Sequence, residues 1–420
     1  DSSDDRPAPR TNNDQDNGDN TDNGTDDDED NDETPIEFPA IISFNGFGSW
    51  GFYDPSVQSD PTTGKIWMSY STIETAVAEY KVYSRLAYSE DSGVTWTDSG
   101  ALLETTEHTL GFFDPAYGDD IDNGTPGSWM SETSDIVYDP FAPPGERWKF
   151  MSMNFLRIDR DSLNAPTAES LYASFGWLSL KVASSPEGLK SATAQKFISN
   201  FGYETAANTA NVAPLFSPIA GAPLIDITND LATSDPGNDL DNCILSEPSL
   251  HPTNTALYLV VGCSYLSLTP PFNVDMFQTL LKCERPCDID SASSWEYVAR
   301  LITPTMAADV DPSYTGYNGS DIFTYQGETY LVSTPTIVGD GYRGCHVFKF
   351  ADLDAGVLET EVGGELKIYN EVPGISDTHN GACSFDEAAS EMGFFHSQVK
   401  EQAYPIDFQI HRTGILPTAD

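Results

Sequence analysis

One pattern recurs five times along the chain and limits what it can fold into. An acidic residue or a histidine leads into a strand-length run, then a turn, then a second strand carrying aromatic residues. The copies are FYDPSVQSDPTTGKIWMSYS at 52–71, TSDIVYDPFAPPGERWKFMSMN at 133–154, SEPSLHPTNTALYLVVGCS at 246–264, GSDIFTYQGETYLVST at 319–334 and DTHNGACSFDEAASEMGFFHS at 377–397. A unit repeated in tandem signals a repeat fold. A second signal follows the first: a strand ending in serine, then a turn, as in LAYSEDSGVTWTDSGALL at 86–103 and LKVASSPEGLKSA at 180–192. It returns in degenerate form at 293–302 and 345–356.

Each pair of signals supplies one four-stranded blade, so the chain is expected to be an all-β, five-bladed β-propeller. Short alternating runs bounded by Gly, Pro, Asn and Asp read as strands, and no stretch sustains a helical period. Residues 37–420 divided by five give roughly 77 per blade, above the common repeat of about 40–50, so loops such as 192–240 take the excess.

Residues 1–36 differ in kind. They are Asp, Asn, Gly and Thr with almost nothing apolar, which cannot bury enough surface to offset chain entropy. A flexible acidic stalk is expected. The oxygen-rich, glycine-punctuated register Asp14, Asp16, Asp19, Asp22 also resembles calcium-holding loops, without the Gly and Glu that complete an EF-hand. The stalk carries fourteen acids and two arginines of a chain whose formal charge is -46, so the body is acidic in its own right. Such charge repels phosphates and anionic lipid surfaces, and neither nucleic acid nor a membrane-spanning segment is expected.

Six cysteines all lie in the second half, at 243, 263, 283, 287, 345 and 383. The chain begins at Asp1 rather than Met, which suggests a removed export signal, and an even cysteine count then favours disulfides. Cys283–Cys287 and Cys345–Cys383 are the leading pairs, and the protein is expected to be secreted or held at the cell surface. Three sequons stand at Asn23, Asn123 and Asn318.

In a propeller the first strand of every blade lines the axis. Residues at the starts of those strands therefore point to one cleft: Asp54, Asp135, Glu247, Asp321 and His379. A lone Asp before a strand would cap a turn. Acids in four successive blades would repel one another without a purpose. Paired carboxyls suit glycosidic cleavage, one protonating the leaving oxygen and the other activating water. His379 could hold a metal or touch substrate, and Asp321 could line the substrate site. Trp50, Tyr53 and Trp129 lie near the acids and could stack on sugar rings.

The order DPSV, TSDIVYDP, SEPSL and THNGACSF resembles the five-bladed propeller glycosidases of the arabinanase and β-xylosidase type, glycoside hydrolase family 43 and its relatives. That resemblance implies Asp54 as general base, Asp135 as the acid's tuner, Glu247 as general acid and His379 beside a central Ca2+. It spans about residues 40–415 and departs from the family at Tyr53, Thr133–Ser134 and Pro248. SEDSGVTW also resembles the Asp-box turn of sialidases, a structural fastener. The expected function is an inverting glycosidase acting on an arabinose-, xylose- or galactose-containing polysaccharide. Two alternatives stand beside it. One is a non-catalytic propeller that binds carbohydrate. The other is a surface protein whose tail anchors to lipid or assembles with a neighbouring subunit through calcium.

Overall fold

The strand Ala256–Leu266 shows how the chain is organised: Ala256 to Val261 are all fully buried. Leu257, Leu259 and Val261 join a cluster with Met151, Met153, Leu178 and Leu180, whereas Tyr258 and Val260 join one with Ile322, Leu331 and Phe348. Alternate side chains of one strand thus enter two different cores. A strand buried on both faces reads as a near-continuous apolar run, and a blade wedged between two others needs such strands.

The computed structural model describes residues 37–45, 51–76, 79–104, 106–110, 113–114, 119–120, 125–158, 176–198, 224–226, 243–266, 274–337, 341–374, 380–401 and 407–418. Five sheets of four or more strands account for nearly all the strands among them. The inner strands are Gly51–Ser59, Thr125–Tyr138, Cys243–Pro252, Tyr314–Tyr325 and Asn380–Ser384, for blades 1 to 5. Each packs against the inner strands of both neighbouring blades, and the fifth against the first. The ring is a five-bladed β-propeller.

Among the described residues, five apolar clusters fill the joints. Trp67, Ile136 and Trp148 lie between blades 1 and 2, and Phe323, Val347 and Phe394 between blades 4 and 5. Tyr70, Trp96, Phe395 and Ile410 close blade 5 onto blade 1. The N-terminal strand Ala40–Ile41 completes the closure by pairing with Asp407–Arg412 as the outermost strand of blade 5. The first described strand therefore seals the last.

Both expected disulfides form. Cys283–Cys287 closes a short loop of blade 3, and Cys345–Cys383 ties blade 4 to the inner strand of blade 5. The SEDSGVTW turn is a fastener. The Asp91 carboxylate accepts from Thr95 N–H at 2.8 Å and Thr95 Oγ1 at 2.6 Å, and the indole of fully buried Trp96 donates to Gly93 O at 3.0 Å. No helix among the described residues is long and apolar enough to cross a membrane.

Candidate active site

Every inner strand breaks its pairing at one shared level, and Tyr314–Tyr325 has a further slip near its start, between Tyr314 and Gly316. The register slips between Tyr53 and Ser56, Glu132 and Ser134, Ser246 and Ser249, Asn318 and Asp321, and Gly381 and Cys383. Inside each slip one residue adopts a left-handed backbone: Asp54 (φ 49°), Thr133 (49°), Glu247 (49°), Gly319 (56°) and Ala382 (52°). These are β-bulges, which re-aim a side chain out of the ladder. A non-glycine residue held there costs on the order of 1–3 kcal/mol and persists only where the surroundings over-determine it. Four of the five positions bear that cost.

All five bulge residues line one cavity of about 210 Å3 at the mouth of the axis. The bulge of blade 1 supplies Asp54, that of blade 3 supplies Glu247, and blade 2 adds Glu132 from the position just before its bulge. Three carboxyls from three consecutive blades meet there. Blades 4 and 5 contribute Gly319, Gly381 and Ala382 between Asn318, Thr334, Tyr342, Ser397 and Phe408, so the opposite wall carries no carboxyl among the described residues.

Hydrogen bonds fix the acids. Asp54 Oδ2 accepts from Ser71 Oγ at 3.2 Å and Thr133 Oγ1 at 3.1 Å, and the Asp54 N–H donates to Ser397 Oγ at 2.7 Å. Glu132 Oε2 accepts from the Tyr53 hydroxyl at 3.0 Å, and Tyr53 itself stacks on Phe408 at 4.8 Å. Glu247 Oε2 accepts from Gly319 N–H.

Burial dominates their titration. It pushes Asp54 up to about 6, against the pull of the Thr133 and Ser71 donors. It pushes Glu132 up to about 8, aided by the Asp54 charge and opposed by the Tyr53 hydroxyl. Glu247 also rises to about 8 through burial, opposed by Gly319 N–H and aided by the charges of Asp54 and Glu132. Asp54 is thus the most readily ionised of the three carboxyls, and the two glutamates hold their protons to higher pH. Groups whose surroundings push their pKa values apart are suited to acid and base roles.

Two residues further along each inner strand lies a second tier, and its chemistry is different. Ser56, Asp135, Ser249, Asp321 and Ser384 each accept the backbone N–H of the next blade. Ile136 N–H donates to Ser56 Oγ at 3.1 Å, Leu250 N–H to Asp135 Oδ2 at 2.7 Å and Ile322 N–H to Ser249 Oγ at 3.0 Å. Phe385 N–H reaches Asp321 Oδ2 at 2.9 Å, and Val57 N–H returns to Ser384 Oγ at 3.0 Å. The five bonds form a closed girdle. Ser56 Oγ also donates to Asp135 Oδ1 at 2.8 Å and Ser249 Oγ to Asp321 Oδ1 at 3.2 Å. Burial pushes both carboxyls up, and the Asp321 charge raises Asp135 further.

This corrects the expected equivalence of Asp54, Asp135, Glu247, Asp321 and His379. The positions equivalent to Asp54 and Glu247 hold Thr133, Gly319 and Ala382. Asp135 and Asp321 belong to the girdle below, and neither lines the mouth. The reason is geometric: residues two apart share a strand face, so only the bulge separates the tiers. Tyr53 lies on the mouth wall, as a hydrogen-bond donor to Glu132. Glu132 was missed, although it stands three residues before Asp135. Asn318, a sequon residue, is 5% exposed on the mouth wall, so its side chain is inaccessible to a glycan.

Trp50, His379, Asp14, Asp16, Asp19 and Asp22 lie outside the described residues, as does the side chain of Trp129. Among the described residues no group of three or more His, Cys, Asp or Glu could hold a metal ion. The Asp135 and Asp321 oxygens accept from N–H and hydroxyl donors of the girdle, and His379, the residue expected beside Ca2+, is among those outside the described residues.

No family model matches the sequence, and no curated protein matches it at a significant level. Among solved structures, a family 117 glycoside hydrolase from the marine bacterium Zobellia galactanivorans is similar at 14% identity, with 91% of this chain and 92% of that one covered and a TM-score of 0.47. A thermostable family 43 glycoside hydrolase is similar at 10% identity, with coverage of 86% and 88% and a TM-score of 0.43. An endo-arabinase from Bacteroides thetaiotaomicron is similar at 12% identity, with coverage of 87% and 95% and a TM-score of 0.41. The five-blade architecture itself is read from the strand pairing above.

Proposed function

We propose that this protein is a secreted glycoside hydrolase working at the mouth of the propeller axis. Asp54 is the general base, Glu247 the general acid, and Glu132 the group that tunes them. The observation that carries this reading is the convergence of three carboxyls from blades 1, 2 and 3 on one cavity, Asp54 at about 6 and both glutamates at about 8. An ionised Asp54 can take a proton from water while a protonated Glu247 gives one to the leaving oxygen. Asp54 and Glu247 come from non-adjacent blades with blade 2 between them, which favours the wide separation that leaves room for a water and inverts the anomeric carbon. Among the described residues lining the mouth none is Lys or Arg, so nothing there pairs a sulfate or uronate. Neutral polysaccharides built on arabinose, xylose or galactose are the class this favours. The disulfides Cys283–Cys287 and Cys345–Cys383 support export.

The test is a panel of arabinans, xylans, galactans and their aryl glycosides, followed by a pH–rate profile on any that is cleaved. Activity should rise as Asp54 ionises through about 6 and fall as the acid loses its proton through about 8. The first-formed product should carry the inverted anomer by proton NMR. Binding without cleavage across the panel would move the protein to the carbohydrate-binding propellers.

A further inference from the structure

Three cavities lie in series along the propeller axis and share walls. The mouth and a waist of about 20 Å3 have Asp54, Thr133, Gly319 and Ala382 in common. The waist and a vestibule of about 580 Å3 at the far end share Ser56, Asp135 and Asp321. A polar space of at least about 10–15 Å3 is enough for one water. The waist meets that size, and its walls include three carboxyls with the hydroxyls of Ser56, Thr133, Ser134 and Ser320.

One of those hydroxyls is unsatisfied. Ser134 is 6% exposed, and its Oγ is buried with no hydrogen-bond partner in the protein. Buried polar atoms almost always have a partner, often an ordered water. The waist is the polar space Ser134 borders.

We infer that the waist binds one ordered water against Ser134 Oγ, and that Asp135 and Asp321 pass protons through it between Asp54 and the far vestibule. The use assigned to those protons rests on the glycosidase reading. During cleavage the hydroxyl of the attacking water bonds to the anomeric carbon and its proton goes to Asp54. The glycosidic C–O bond breaks with its electron pair on oxygen, which takes the proton of Glu247. The enzyme is restored when Asp54 gives up one proton and Glu247 gains one. With sugar filling the mouth, the waist gives Asp54 a way to solvent on the other face. Burial raises Asp54, Asp135 and Asp321 alike, which keeps their proton affinities close enough for transfer.

Serine is the girdle residue of the other three blades, so Asp135→Ser and Asp321→Ser keep an acceptor for the Leu250 and Phe385 N–H groups while removing the titrating group. The first measurement is a crystal structure of the wild-type chain. One water within hydrogen-bond distance of Ser134 Oγ and of Asp135 or Asp321 is expected, and a dry waist or a metal ion there overturns the inference. The second compares single-turnover with steady-state hydrolysis. Both variants should keep the first-turnover rate and lose about tenfold in the steady state, well short of the full loss of a positioned proton transfer. Added imidazole, a mobile proton carrier, should restore part of that loss. Equal losses in both phases, or none in either, overturn the relay and leave the glycosidase reading standing. A wild type that cleaves no glycan overturns that reading and the relay together, while the crystal structure still decides the water.

Discussion

The two tiers of the axis are built from the same strands, two residues apart, and both contain acids. At the upper tier the five positions hold Asp54, Thr133, Glu247, Gly319 and Ala382, with different chemistry in every blade. At the lower tier they hold three serines and two aspartates, every one accepting the N–H of the next blade. The lower tier repeats because five blades pose the same bonding problem. On the proposed glycosidase reading, the upper tier diverges because a catalytic cleft needs different groups at different places. An aspartate whose two oxygens accept N–H and hydroxyl donors ties one blade to the next, in addition to the proton transfer inferred for it above. One held by two hydroxyls at the edge of an open cavity can act as a base. Residue type does not separate the two roles; the partners of the oxygens do.

The largest expected effect tests the upper tier. Asp54→Asn should cost about 100- to 10,000-fold in turnover on any substrate found, the range of a positioned proton transfer. Its melting temperature at neutral pH should not fall, because the amide avoids a buried charge. A variant that keeps a tenth of the wild-type rate would place the base elsewhere.

The lower tier should answer the opposite way. Asp135→Leu strands the Leu250 N–H and the Ser56 hydroxyl, each an orphaned buried group costing about 1–3 kcal/mol. Urea unfolding should show that loss, and Asp135→Ser should recover most of it. If the leucine variant unfolds at the wild-type urea midpoint, the girdle is decoration.

Glu132 sharpens the comparison through pH. Its folded pKa of about 8 lies above the ordinary 4.5, so the folded chain binds this proton more tightly than the unfolded chain. That contribution to stability is fully present below the unfolded pKa and is lost as pH rises through the folded value. Glu132→Gln should therefore melt higher than wild type at about pH 9 and alike at about pH 4. A uniform shift at both would mean that packing, not charge, sets the difference. The smallest effect is expected from Ser384→Ala, which frees the Val57 N–H and removes the Ser384 hydroxyl from Asp321, and should cost about 1 kcal/mol by the same urea assay.

Much of the architecture was legible because it is written locally. The near-continuous apolar run ALYLVV marks a strand buried on two faces, and the SEDSGVTW turn carries its own Asp91 fastener. The pairing of Cys345 with Cys383 was reachable because the repeats assigned them to neighbouring blades. Asp54 and Glu247 were legible as axis residues for the same reason, and the structure brings them together at the mouth.

The amino-acid sequence by itself determined most of the strands, the five-fold repetition and the bridges Cys283–Cys287 and Cys345–Cys383, since each depends on residues close in the chain or on the repeat order. The four strands expected per blade, by contrast, became five in blade 1 and six in blades 2 and 4. It did not determine which acids share a cavity. SETSD at 131–135 offers Glu132 and Asp135 three residues apart, and neither pattern nor propensity ranks them. The bulge at Thr133 decides, because a single left-handed residue resets which side chains face the axis and at what height. That bulge is held by bonds from another blade, Thr133 N–H to Ser71 Oγ at 2.9 Å and Thr133 Oγ1 to Asp54. A conformation imposed by partners 62 and 79 residues away in the chain exists only once blades 1 and 2 have docked, and with it the difference between the acid that faces the mouth and the one that joins the girdle.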